Sequence, residues 1–143
     1  MIAVDTNLLV YAHRRDSPLH AEAQGLIRGL AEGQDPWALP WPCVHEFLAI
    51  VTHPRIFSPP TELARALAQV SAWLDSPTSE LLHEGPGYWD RLAGLLQQGK
   101  IVGPRVHDGR IAGLCLHHGV RELWSADRDF SRFPSLSVRN PLV

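Results

Sequence analysis

The sequence predicts an α/β protein in which a mainly parallel central sheet carries helices on both faces. Short apolar runs of strand length alternate, from one end of the chain to the other, with stretches whose apolar residues recur at i, i+3, i+4 and i+7. Such alternation builds right-handed crossovers between parallel strands. A second observation agrees with it: Asp5 and Asp127 each stand directly after a strand-like run, and open parallel sheets place their sites beyond the carboxyl ends of the strands.

Met1–Val4 is the first apolar run and reads as a buried strand. Ser17-Pro18 offers an N-cap with proline in the first helical position. Behind it Ala23, Leu26, Ile27 and Leu30 define a helix that runs to about Gly33. Trp37-Ala38-Leu39 makes a second short strand. Pro42 starts a helix with Val44, Phe47, Leu48 and Val51 inward, and Pro54 stops it. The next helix follows Pro59-Pro60-Thr61 and packs Leu63, Leu67, Val70 and Trp73 or Leu74. Ser79–Leu82 is a brief strand, and Trp89, Leu92, Ala93 and Leu96 mark a fourth helix ending at Gly99. A fifth begins with Asp108 as its cap, turns Ile111, Leu114 and Cys115 inward, and ends at Gly119. Glu122–Ala126 and Leu136–Val138 are the last two strands.

The 143 residues suit one domain over 1–143, with no linker or internal repeat. Hydrophobic residues make up 45% and charged residues 20%, the balance of a chain that folds without disulfides or a structural metal. Thirteen basic residues against fifteen acidic ones give a net charge of -2. That argues against a uniformly basic surface and leaves room for a local nucleic-acid groove. Arginine makes up the basic set apart from Lys100, the composition of a GC-rich gene as much as of a phosphate-binding surface. The N-terminus meets a carboxylate at Asp5 and no apolar run reaches membrane-spanning length, so a cytoplasmic protein without membrane attachment is expected. Cys43 and Cys115 lack any metal-ligand spacing and read as small buried hydrophobes.

Four acids carry the chemical signal. Asp5 and Asp127 follow strands, Asp108 opens a helix, and Glu46 interrupts the apolar pattern between Val44 and Phe47. Converged at one rim of the sheet, they would raise one another's pKa, and a divalent cation would resolve the repulsion. Oxygen-only ligands favour Mg²⁺ or Mn²⁺ over zinc, and Mg²⁺ completes its shell with water and substrate phosphate. Each acid also has a plain structural reading: Asp5 as a turn residue, Asp108 as an N-cap, Glu46 on a solvated helix face, Asp127 and Asp129 in a polar turn.

Val4-Asp5-Thr6-Asn7, Glu46 within Val44-His45-Glu46-Phe47, and Asp108 within His107-Asp108-Gly109-Arg110-Ile111-Ala112 resemble the PIN-domain ribonucleases. Ser125-Ala126-Asp127-Arg128-Asp129-Phe130, with Phe133-Pro134 and Asn140-Pro141-Leu142 behind it, looks most like the VapC toxins of toxin–antitoxin pairs. The resemblance spans the whole chain in order. It implies a PIN-like three-layer sandwich and an Mg²⁺- or Mn²⁺-dependent endoribonuclease. It also implies a small VapB-like antitoxin as partner and a homodimer. Carried over by position, Asp5 and Asp108 would be the principal metal ligands. Glu46 would bind metal or act on the attacking water, and Asp127 would complete the catalytic quartet. Thr6 and Ser125 would orient carboxylates or water, Asn7 would brace the strand end, and Asp129 would have a structural or supporting role. Gly109 departs from the alanine usual in the family. Arg14, Arg15, Arg105, Arg110 and Arg128 fall near rim positions and are candidate RNA-phosphate contacts.

Two other readings stand beside this one. A PIN-like module that binds RNA or protein without cutting would usually lack one of the acids. A haloacid-dehalogenase-like phosphatase would need a second Asp where Asn7 stands. His45, His53, His107, His117 and His118 form no HxH or HExxH pattern, and His117-His118 suits a helix C-terminus. The tryptophans sit mostly at core spacing, while Trp41 between two prolines is open to loop packing or base stacking.

Overall fold

In a computed structural model, which describes residues 1–143, five strands form one parallel sheet. They are β1 (Ile2–Val4), β2 (Trp37–Pro40), β3 (Ser79–Leu82), β4 (Glu122–Trp124) and β5 (Val138–Arg139), in the order β3-β2-β1-β4-β5. β1 lies between β2 (Ile2 opposite Trp37) and β4 (Val4 opposite Trp124). The chain builds outward from β1 through β2 to β3, then returns to place β4 on the other side of β1. The order reverses between β1 and β4, the point where such sheets open a crevice.

Six helices join the strands: α1 (Thr6–His13), α2 (His20–Glu32), α3 (Trp41–Val51), α4 (Leu63–Leu74), α5 (Tyr88–Gly99) and α6 (Arg105–His117). Right-handed crossovers running one way and then back put α1–α4 on one face and α5–α6 on the other. A 3₁₀ turn, Arg128–Arg132, follows β4. Both faces of the sheet are covered, so β2 is apolar at every position and buried throughout.

The core runs from Ala3, Val4 and Leu39 in the sheet to Leu8, Val44, Phe47 and Ile111 in the helices. Phe47 meets Trp73 edge to face at 4.9 Å and His13 at 5.3 Å, which locks α3 against α4 and α1. Trp37 is fully buried, and its indole N–H donates to Ser76 Oγ.

Most expected elements are present, with shifted ends. Four expectations are corrected. Helix α1 directly after β1 was not expected, because it is buried on most sides and carries no clean amphipathic period. Ser17 accepts from Leu19 N in a turn, so α2 begins at His20 instead of behind a Ser17 cap. In α4 the inward residues are Ala66, Val70 and Trp73, while Leu63 and Leu67 face solvent. Trp89, taken as an inward marker of α5, is 70% exposed. Trp37, Trp73 and Trp124 are buried, and Trp41 is half-buried and packs edge to face on His45 at 4.3 Å. No helix is long and apolar enough to cross a membrane.

Candidate active site

Asp5 ends β1 and begins α1. Its backbone N–H donates to Trp124 O at 2.9 Å, which ties the end of β1 to β4. Its side chain is the N-cap of α1, with Oδ1 accepting from Thr6 N at 2.8 Å. Ser125 Oγ donates to Oδ2 at 2.7 Å, and the Cys43 thiol approaches Oδ1 at 3.4 Å. The carboxyl is 5% exposed. Burial raises its pKa above the ordinary carboxylate value, while the bonds from Ser125, Thr6 and Cys43 pull the other way and Glu46 adds to the rise.

Ser125 Oγ is saturated. Besides donating to Asp5, it accepts from Asp127 N at 3.0 Å and from Asn7 Nδ2 at 3.4 Å, the full complement of a hydroxyl. Asn7 Oδ1 accepts from Ala126 N at 3.2 Å. The amide therefore links the end of β4 to the first turn of α1. Thr6 Oγ1 donates to Glu46 Oε2 at 2.9 Å, which fixes an exposed glutamate of α3 over the end of β1.

Asp108 lies inside the first turn of α6, whose cap is Pro104. The N-cap reading of Asp108 is therefore corrected: the helix starts three residues earlier, at Arg105. Burial and the charges of Asp127, Asp129, Asp5 and Glu46 push its carboxyl up to about 6. Asp127 caps the 3₁₀ turn, with Oδ1 accepting from Asp129 N at 2.8 Å.

The four acids of the sequence pattern line one cavity of about 190 Å³ together with Thr6, Asn7, Ile50 and Ile111. They arrive from β1, α3, α6 and the segment after β4, all at the reversal of strand order. Carboxylate oxygens of Asp108, Asp127 and Asp129 lie within 4.8 Å of one another. This donor set is all oxygen and suits a hard divalent cation. Asp129 stands closer to the acid cluster than its expected supporting role required.

The arginines divide. Arg105 lines the cleft beside Asp108, and Arg128 lines a hollow of about 600 Å³ on the far side of Asp127. Arg110 does not reach the cleft, because Glu84 holds it at 2.7 Å. Arg14 pairs with Asp16 at 2.6 Å and lies over the Phe57 ring. Arg15 lines a separate hollow with His20 and Arg65. Lys100 and Arg132 line the acid cleft and were not among the expected contacts. Lys100, as the single lysine, was the one available signal.

Gly109 has a local cause. A Cβ there would stand 2.7 Å from Leu96 Cδ2 and 3.7 Å from the Phe133 ring. Cys43 and Cys115 are both fully buried and unpaired with each other, as the sequence suggested.

A family model described as the PIN domain matches residues 2–136. Ribonuclease VapC43 of Mycobacterium tuberculosis is 37% identical over 142 residues, covering 99% of this chain and 96% of that protein. Ribonuclease VapC48 of the same species is 31% identical over 137 residues, covering 96% and 94%. Among solved structures, the M. tuberculosis VapC20, a sarcin-ricin-loop-cleaving toxin, superposes with a TM-score of 0.66 at 15% identity over 92% of this chain and 93% of that one. VapBC2 of Rickettsia felis, bound to a DNA fragment from its promoter, gives 0.65 at 20% identity over 97% and 98%.

Proposed function

Since the chain belongs to the PIN-domain family, among the VapC ribonucleases, we propose that it is an endoribonuclease that needs Mg²⁺ or Mn²⁺ and acts as the toxin of a toxin–antitoxin pair. One observation carries the reading: Asp5, Glu46, Asp108 and Asp127, far apart in sequence, share one small cavity at the reversal of strand order. Curated relatives named as ribonucleases support it.

The donor set fits a hard divalent cation, with Asp5, Asp108 and Asp127 as the residues that would hold it. When bound, such an ion supplies an activated water and a charge that offsets the scissile phosphate. The protein's part is positioning. Asp5 is fixed by Ser125, Thr6 N and Cys43, so its carboxylate enters the reaction already oriented. Glu46 is held through Oε2 by Thr6, which leaves its other oxygen free to take a proton from the attacking water. Asp129 joins the cluster from the next turn.

The same reading gives RNA as substrate, a VapB-like antitoxin and a second copy of the chain as partners, a single domain over 1–143, and the cytoplasm as location. The phosphatase reading loses ground because Asn7 stands where a second Asp is needed and its amide is taken up by Ser125 and Ala126.

The test is cleavage of a mixed small-RNA pool by the purified protein with Mg²⁺ or Mn²⁺, with EDTA, and with Asp5→Asn and Asp108→Asn. Discrete products that need the metal and vanish in both variants are expected. Full activity of either variant at saturating metal overturns the site assignment. No cleavage under any metal by a folded protein favours a binding-only module.

A further inference from the structure

The acids share their cleft with cations that have no acid partner. A depression of about 750 Å³ is lined by Asp108, Asp127 and Asp129 and also by Lys100, Arg105 and Arg132. The chain has three ion pairs, Arg14–Asp16, Arg110–Glu84 and Arg139–Glu122. None of them uses a cation of this cleft, although the carboxylates stand in the same wall.

Three local features hold these cations in place. Lys100 closes α5 in the left-handed conformation with φ at 51°, and it is the one non-glycine residue of the chain with positive φ. A glycine would adopt that conformation without strain, so the lysine side chain is kept there at a conformational cost. Gly99 beside it lies against the backbone of the 3₁₀ turn: the position a Cβ would take at 99 is 3.4 Å from Arg132 O, contact distance. Lys100 and Arg132 are thereby carried on abutting backbones. Arg105 opens α6 one turn ahead of Asp108, which sets a cation and an acid on one helix face.

Cations that share a cleft with carboxylates yet leave them unpaired are free for an external anion. A metal at the acids takes one phosphate, and the chain on either side of it still presents negative charge to the walls. We propose that Lys100, Arg105 and Arg132 form a backbone-phosphate subsite that holds single-stranded RNA next to the scissile phosphate. This rests on the ribonuclease reading and adds the residues that seat the substrate. Contacts of this kind fix register without reading sequence.

The test is binding of a short, labelled, mixed-sequence single-stranded oligoribonucleotide in EDTA, followed by fluorescence anisotropy across a salt series. The native chain is compared with the triple variant Lys100→Gln, Arg105→Gln, Arg132→Gln and with Arg28→Gln, Arg121→Gln as an exposed-charge control; thermal melts check that all are folded. The triple variant is expected to flatten the plot of log affinity against log salt by about 2, at about 0.7 per cation. Each single substitution should cost up to about fivefold in affinity. With Mg²⁺, its KM for RNA should rise while single-turnover cleavage at saturation is retained. An unchanged salt slope and KM in a triple variant of a native chain that cleaves RNA overturns the subsite, as does an equal loss in the control. A flattened slope without cleavage by the native chain would keep the subsite and overturn the nuclease reading instead. Absence of both cleavage and a slope change overturns both.

Discussion

Ser125 Oγ donates to Asp5 Oδ2 over 2.7 Å, a bond between residues 120 positions apart. It joins the end of β4 to the end of β1, where the strand order reverses. With Asp127 N and Asn7 Nδ2 on its lone pairs, the hydroxyl also couples two of the acids to each other.

Ser125→Ala should therefore act on both the fold and the site. It removes one donor from a buried carboxylate and the acceptor of two N–H groups, a loss of about 1–3 kcal/mol of stability. Affinity for Mn²⁺ should fall about 10- to 100-fold, as for other groups that orient a ligand. Urea melts and a Mn²⁺ titration check this. A stability loss with unchanged Mn²⁺ affinity would make Ser125 a purely architectural residue.

The metal-free protein should respond to pH through Asp108. Its carboxyl is pushed up from 3.8 to about 6 by burial and by the neighbouring acids. Between those values the folded chain keeps a proton that the unfolded chain has lost, so this group's contribution to stability falls as pH rises through the window. Asp108→Asn removes the penalty. The variant should be the more stable protein at about pH 7 in EDTA, by less than about 1 kcal/mol since the group is half-exposed. The gap should close by about pH 4, where the native carboxyl is also neutral. Parallel urea melts decide the matter, and a gap that stays constant with pH counts against the charge cluster. Adding Mn²⁺ should reverse the order, because the native chain alone gains binding energy from the ion.

Both thiols should be silent in the native protein. Cys43 and Cys115 are fully buried, and burial pushes the Cys115 thiol up to about 12 and raises Cys43 well above its ordinary value, the latter aided by Asp5. A thiol-reactive chromophore should label neither in buffer and both in denaturant. Rapid native labelling would place one of them at the surface.

Gly109→Ala tests a contact against a propensity. The added methyl meets Leu96 Cδ2, the far end of a half-buried side chain with two rotatable torsions. Helix propensity favours alanine by about 1 kcal/mol. Leu96 can turn aside at smaller cost, so the variant should be slightly more stable in a thermal melt. A clear loss of stability would mean that Phe133 and Leu96 hold their places and that glycine is required there.

The sheet was legible in the sequence because its central strands β1, β2 and β4 are largely buried and read as short, mostly apolar runs. The edge strands β3 and β5 are partly exposed and carry a weaker signal. Three helices showed their inward stripes equally well. Helix α1 escaped: Leu8, Leu9, Val10 and Ala12 are all buried, so no polar face marks its period. In α4 the expected stripe of Leu63, Leu67, Val70 and Trp73 or Leu74 is half right. Val70 and Trp73 turn inward, Trp73 against Phe47, but Ala66 stands in place of the two exposed leucines. Periodicity locates a stripe; it does not say which of two adjacent stripes meets a neighbour.

By itself the sequence determined the fold class and marked out four acids, and its resemblance to a known family added the hydroxyl and amide residues beside them. Acids that end strands or interrupt an apolar helix face are visible without coordinates as candidates, since each can equally serve as a turn or cap residue until their positions in space are known. Tertiary structure decided what stands next to what. Asp129 joined the cluster, Cys43 came to lie against Asp5, Arg14 and Arg110 were taken up by their own acid partners, and Lys100 and Arg132 were brought to the cleft. These are distances between segments remote in sequence, and they depend on how helices seat on the sheet, which one residue's neighbours along the chain do not encode.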